Sequence, residues 1–114
     1  MEKALIAHVE IEQGIRYALE HEQFVPFFEP QVDLTTGTIT GFEVLARWNH
    51  PLSGLILPEV FIPVAEEHGL ISRLSEQVIA NALAQAVQWP GSFSLSVNIS
   101  PVQLTDPWLA QRLV

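Results

Sequence analysis

Glu43 and Arg47 are an acid and a base set four residues apart in the stretch Gly41-Phe-Glu-Val-Leu-Ala-Arg-Trp-Asn-His-Pro51. The stretch reads as a β-strand, in which successive side chains alternate between faces. Glu43, Leu45 and Arg47 then share one face, and Phe42, Val44, Ala46 and Trp48 share the other. The second face is wholly apolar and must pack. A strand that buries one face shows water or a ligand on the other. At roughly 3.3 Å per residue, Glu43 and Arg47 stand about 13 Å apart, too far for an ion pair, so each needs another partner. The pattern fits a ligand-binding face and a half-exposed strand with solvated charges alike.

The elements that would position these groups follow from local signals. Residues from about Lys3 to His21 carry Leu5, Val9, Ile11, Ile15, Ala18 and Leu19 at helical spacing, with Gly14 as a weak point. This helix reads as a packing helix, or as one entering from an upstream domain. Phe24 to Val32 is rich in aromatic and β-branched residues and reads as a strand, although Pro26 and Pro30 each lack a ladder donor. Asp33-Leu-Thr-Thr-Gly37 reads as a turn, and Ile39 starts the next strand. The two strands form a hairpin. Glu29 and Gln31, on the face of Val25 and Phe27, therefore come near the strand of Glu43 and Arg47. Two acids on neighbouring strands can hold a metal ion or be merely solvated.

Further on, His50-Pro-Leu-Ser-Gly54 reads as a loop, with His50 a turn residue because no second histidine stands at ligand spacing. Pro58 and Pro63 each suit the first turn of a helix, which predicts short helical turns from Pro58 to His68 stopped by Gly69, with Glu66 and Glu67 facing water. Ser72 reads as the cap of a helix running to about Gln88, with Glu76 near its positive end. Ile71, Leu74, Val78, Ile79, Leu83 and Val87 make its apolar stripe, and Trp89-Pro-Gly91 ends it. Phe93 to Ser100 alternates strictly. Phe93, Leu95, Val97 and Ile99 oppose Ser94, Ser96, Asn98 and Ser100. Those small polar side chains leave room for a ligand, or simply form the wet side of a strand. Asp106-Pro107 reads as the start of another helix.

Composition narrows the function classes. A chain of 114 residues, 48% apolar, can build one small domain with a core. It has no cysteine, hence no disulfide and no thiolate metal site, which fits the cytoplasm. No long apolar run predicts a membrane span, and Met-Glu-Lys-Ala does not open a signal peptide. Acids outnumber bases 13 to 5, a surface that repels nucleic acid polymers. An anionic ligand would need a metal ion or a few placed arginines to enter that field. The order helix, hairpin, helix, strand predicts an α/β fold with parallel pairing. Three strands cannot cover both faces of such a sheet, so the architecture is expected to continue beyond this chain.

Phe-Phe-Glu-Pro-Gln-Val-Asp-Leu, Thr-Gly-Thr-Ile-Thr-Gly-Phe-Glu-Val-Leu-Ala-Arg-Trp-Asn-His-Pro, Leu-Pro-Glu-Val-Phe-Ile-Pro-Val-Ala-Glu-Glu-His-Gly-Leu-Ile and Ser-Val-Asn-Ile-Ser-Pro stand here in that order. Together they resemble the EAL domain family, bacterial phosphodiesterases that hydrolyse cyclic di-GMP. The likeness runs from about Leu19 onward and implies the N-terminal half of a TIM-like (β/α)8 barrel with an antiparallel first strand. Barrels of this kind take about 250 residues. Residues 1–114 would be one partial domain, with a leading helix over about 3–21 and the barrel portion over 24–114.

By this resemblance Glu43 and Asn98 are metal ligands, Arg47 holds a substrate phosphate, and Leu45 and Glu29 contact the nucleotide. Val44 replaces the alanine of the family's name-giving motif, and Glu29 stands where many members carry glutamine. The oxygen ligands suit Mg²⁺ or Mn²⁺ in a two-metal site whose other ligands, with a lysine near the attacking water, come from later strands. The implied activity is hydrolysis of cyclic di-GMP to linear pGpG, this segment alone being inactive. The alternative is a degenerate domain that serves as a cyclic di-GMP receptor. Implied partners are the nucleotide, a second copy through the complete domain, and an upstream sensory or diguanylate-cyclase-like domain.

Overall fold

Val44, Ala46 and Trp48 are buried, as the alternation of an apolar face requires. They belong to a strand that the computed structural model, which describes residues 2–99, extends from Ile39 to His50. The chain runs α1 (Glu2–Glu20), β1 (Phe24–Val32), β2 (Ile39–His50), β3 (Gly54–Ile56), α2 (Pro58–Glu67), α3 (Ile71–Ala86) and β4 (Ser94–Val97). β1 pairs antiparallel with β2 in the register Phe24–Trp48 through Gln31–Gly41, followed by an irregularity at Gln31/Val32. On its other side β2 pairs with two partners at different heights. β3 takes its last residues antiparallel, and β4 takes Gly41 to Val44 in parallel. The parallel pair and its α2–α3 crossover are the expected strand–helix–strand unit.

The turn that sets the β1–β2 register forms as its residues suggest. Asp33 Oδ1 accepts from the Thr35 amide at 2.8 Å, and Gly37 takes the left-handed conformation at φ 73°. Pro26 and Pro30 are tolerated because, among the described residues, β1 pairs on one side only.

The core lies between the buried face of the hairpin and the three helices. The Phe24 ring lies tilted against both Trp48 and Phe61, with centroids 5.3 Å apart in each pair. Ile15, Ala18 and Leu19 of α1 join them, with Phe61, Ile62, Val64 and Ala65 of α2 and Leu74, Val78 and Ala82 of α3. Gly14 explains itself here, because a Cβ on it would come within 2.8 Å of the Trp48 ring. A second aromatic group, Phe28, Phe42, Trp89 and Phe93, closes the other end of the sheet. Gln77 ties α3 to the α1–β1 connection, donating to the Leu19 carbonyl at 2.9 Å and accepting from the Phe24 amide.

Several expectations are corrected. His50–Gly54 is not an open loop but the turn of a second hairpin, because β2 runs on to His50 and Gly54 turns back at φ 74° to form β3. α2 is one continuous helix through Pro63, held by its four buried apolar side chains despite the missing donor. Gly69 does follow it in the left-handed conformation, and Glu67 is exposed while Glu66 is half-buried. α3 starts one residue before Ser72, at Ile71, and its cap is Leu70, with no side-chain hydrogen bond. Glu76 consequently lies beyond the first turn. The buried stripe of α3 is Ile71, Leu74, Ser75, Val78, Ile79 and Ala82, whereas Leu83 and Val87 are exposed and line an open groove with Trp89, Phe93 and Leu95. β4 is four residues long, and Phe93 and Val97 on its apolar face are exposed. Ser100 and the helix expected after Asp106 lie outside the described residues. No helix among the described residues is long and apolar enough to cross a membrane.

At Gly41 the neighbouring strand β4 leaves no room for a side chain. A Cβ there would fall against Ser94 Oγ and the Ser94 backbone. Gly41→Ala is therefore expected to force the strands apart and destabilise by about 1–3 kcal/mol, the usual cost of overpacking. Thermal unfolding of the two proteins checks this, and an unchanged midpoint would show that the strand contact gives way freely.

Candidate active site

The face of β2 opposite the core carries Gly41, Glu43, Leu45 and Arg47, flanked by alternate residues of β1 and β4. The registers arrange these side chains in rows. Gln31, Gly41 and Ser94 form one row, and Glu29, Glu43 and Ser96 the next. Phe27 and Leu45 make a third, and Val25 and Arg47 a fourth. Four of the five residues singled out in the sequence, Glu29, Glu43, Leu45 and Arg47, thus share one surface. Glu43, Leu45 and Arg47 are half-buried there, and Glu29 is exposed.

Glu29 and Glu43 lie directly opposite each other across the ladder. Such side chains have Cβ atoms about 4.5–5.5 Å apart, where like charges repel. Only the backbone register holds this pair together, and a cation between the carboxylates would relieve it. Asn98, exposed, follows β4 two residues after Ser96, the partner of Glu43. One strand spacing across and two residues along set its backbone roughly 8 Å from that of Glu43, within joint reach of two side chains on one small ion. Carboxylate and amide oxygens are hard donors that suit Mg²⁺ or Mn²⁺. The described residues contain no group of three or more His, Cys, Asp or Glu placed to hold a metal, so Glu29, Glu43 and Asn98 would need ligands from elsewhere.

Arg47 occupies the other end of the face. Its Nη1 donates to the Ala46 carbonyl at 2.8 Å, and its guanidinium carbon lies 5.5 Å from the centre of the Phe27 ring. It forms no ion pair with Glu43, as their separation along the strand required. Arg16, by contrast, is engaged far from this face with Glu12 of its own helix at 3.1 Å.

Ser96 Oγ donates to Gln31 Oε1 at 3.4 Å, a contact that passes over Gly41, where no side chain intervenes. His50 acts as a turn residue, its Nδ1 accepting from the Leu52 and Ser53 amides. Phe27, like Val25, lies on this face without a role assigned from the sequence. Its signal was available, since it alternates in phase with Glu29.

A model of the EAL domain matches residues 12–114. The chain is 42% identical over 113 residues to the uncharacterized protein y4lL of Sinorhizobium fredii, taking in 99% of this chain and 14% of that protein. It is 39% identical over 96 residues to the cyclic di-GMP phosphodiesterase PA2567 of Pseudomonas aeruginosa, taking in 82% of this chain and 16% of that one. Its structure is similar to that of the FimX EAL domain from Pseudomonas aeruginosa bound to cyclic di-GMP, with TM-score 0.75 and 28% identity over 93% of this chain and 43% of the other. The chain therefore spans less than half the length of each of these relatives. The shared architecture is the N-terminal half of a TIM-like α/β barrel whose first strand, β1, runs antiparallel to the second. This chain belongs to the EAL domain family.

Proposed function

We propose that the complete domain hydrolyses cyclic di-GMP to linear pGpG, with Glu43 and Asn98 as divalent-metal ligands and Arg47, Leu45 and Glu29 lining the nucleotide pocket. The observation that supports this best is the assembly of Glu43, Leu45 and Arg47 on one face of β2, with Glu29 opposite and Asn98 after the neighbouring parallel strand. A phosphodiesterase among the relatives points the same way. Residues 1–114 are on this reading one partial EAL domain of a cytoplasmic protein, inactive without the strands that carry the remaining ligands. A second copy and an upstream signalling domain are its further partners.

The chemistry follows from the donor types. Mg²⁺ or Mn²⁺, when bound, supplies a Lewis acid for a phosphodiester oxygen and lowers the pKa of water. Glu43 contributes a full negative charge to holding that ion, and Asn98 a neutral oxygen. Arg47 offers planar N–H donors to a phosphate. Leu45, between them, presents an apolar surface to the nucleotide. Glu29 brings a carboxylate where glutamine would be neutral, so it works against a dianionic ligand unless it meets a base edge or the cation.

In the intact protein, Glu43→Gln keeps size and removes charge. It is expected to lower metal affinity and turnover by at least the roughly 10–100-fold seen when groups behind metal ligands are changed. Arg47→Ala is expected to leave metal affinity intact and to weaken nucleotide binding roughly ten- to hundredfold, the worth of hydrogen bonds to a charged group. Calorimetric titration of metal, with turnover followed over a range of Mg²⁺ and Mn²⁺, separates the two. Normal metal binding and turnover by Glu43→Gln would end this reading. A wild-type protein that binds cyclic di-GMP without cleaving it would make the domain a receptor.

Glu29→Gln removes a negative charge from the pocket, so nucleotide affinity is expected to stay the same or tighten, with turnover retained. A large loss of turnover would instead make Glu29 a metal ligand or a base.

A further inference from the structure

We propose that Phe27 is a positioning residue for Arg47, fixing the guanidinium so that its free edge meets the nucleotide phosphate. The inference rests on the function proposed above and adds a residue to it. Phe27 faces Leu45 directly across the ladder, while Arg47 faces Val25. The Arg47 side chain nevertheless reaches diagonally back, and its guanidinium lies 5.5 Å from the Phe27 ring centre. Diagonal neighbours on an antiparallel pair are about 7–8 Å apart at the backbone, a gap that a long side chain can span. The ring face carries negative quadrupole density and attracts the cation.

Two contacts thereby restrain one group. The Phe27 ring constrains the guanidinium from one side, and the Ala46 carbonyl takes an Nη1 proton at 2.8 Å. Among the described residues no other side chain engages Arg47. Its remaining N–H groups are left for a ligand. An arginine must present donors in parallel to hold a phosphate well, and a long flexible side chain ordered only on binding weakens affinity. A side chain held in place beforehand avoids that loss.

Phe27 is poorly explained as a core residue. It is 43% exposed and lies on the face opposite Phe24 and Pro26, which are buried. A leucine there would keep the packing on Leu45 and lose the ring. A tyrosine would keep both.

The test uses KM and kcat for cyclic di-GMP in the intact protein, with Phe27→Leu and Phe27→Tyr made in the wild-type and Arg47→Ala backgrounds. Phe27→Leu is expected to raise KM about three- to thirtyfold, the range of a cation–π contact from partly exposed to desolvated, with kcat within about twofold. Phe27→Tyr restores KM to near the wild-type value. In the Arg47→Ala background, Phe27→Leu changes KM by less than about twofold, because the group it positions is gone. An equal rise in both backgrounds would overturn the proposal, since Phe27 would then touch the nucleotide itself or act through the fold. So would a tyrosine variant as impaired as the leucine one, or a leucine variant with unchanged KM. If the wild-type protein neither binds nor cleaves cyclic di-GMP, the underlying function fails and this proposal with it. An active wild type with uncoupled Phe27 defeats the positioning role alone.

Discussion

The register between β1 and β2 is the constraint on which the remaining geometry depends. A strand has a period of two, so a slip by one residue would carry every side chain of β1 to the opposite face. Glu29 and Phe27 would then enter the core, and Phe24 would leave it. Trp48 prevents this from one end of the ladder. It is buried against Phe24 and Phe61, its indole N–H donates to Gln23 Oε1 at 3.1 Å, and the next amide, of Asn49, donates to the Gln23 carbonyl. The Asp33–Gly37 turn fixes the other end. Glu29, Glu43, Leu45 and Arg47, on the opposite face, have no role in this locking. They can therefore be chosen for chemistry, even to the point of setting two carboxylates opposite each other.

Much of this was legible in the sequence because it rests on short-range patterns. Alternation assigned Val44, Ala46 and Trp48 to the core and Glu43, Leu45 and Arg47 to the other face. A Gly-containing turn between two β-rich runs then brought Glu29 to Glu43. What escaped depends on neighbours that are distant in sequence or on backbone pairing with little side-chain signature. β3 is three residues long and exists only through pairing with Trp48, Asn49 and His50. The N-terminus of α3 is set by the Leu74 amide donating to the Leu70 carbonyl, a bond that leaves no mark in residue type and that displaced the attractive Ser72. Leu83 and Val87 extend a helical stripe, but a stripe cannot say whether the groove it lines, here with Trp89, Phe93 and Leu95, is filled. Pro63 read as a helix start and is instead a tolerated interior residue, because four buried side chains outweigh one missing hydrogen bond.

The placement of Asn98 illustrates the same limit at the site. Alternation put it on the polar face of its strand and the family resemblance made it a candidate, but its position relative to Glu43 depends on which residue of β4 meets which residue of β2. That follows from how α2 and α3 pack as the crossover. The observed pairing of Glu43 with Ser96, rather than with Asn98, makes Asn98 a diagonal neighbour. The small side chain of Ser96 leaves the intervening space open. Gly41 does the same one row back, where the Gln31–Ser96 contact crosses it. Small residues at these two positions let one strand's side chains communicate with those two strands away.

The electrostatics of the face complete the picture. The chain as a whole carries a formal charge of −8, and a uniformly acidic surface would bind neither anions nor their counterions selectively. The β2 face is instead divided. Glu29 and Glu43 make one end strongly negative, and Arg47, braced by Phe27, makes the other end positive. With about 13 Å between Glu43 and Arg47 along the strand, the two ends do not neutralise each other, and Leu45 separates them with apolar surface. Collapse into an internal ion pair would satisfy both charges and leave nothing to recognise. Arg47 turns instead to the Ala46 carbonyl and the Phe27 ring, so the two opposite charges stay apart on one face of one strand.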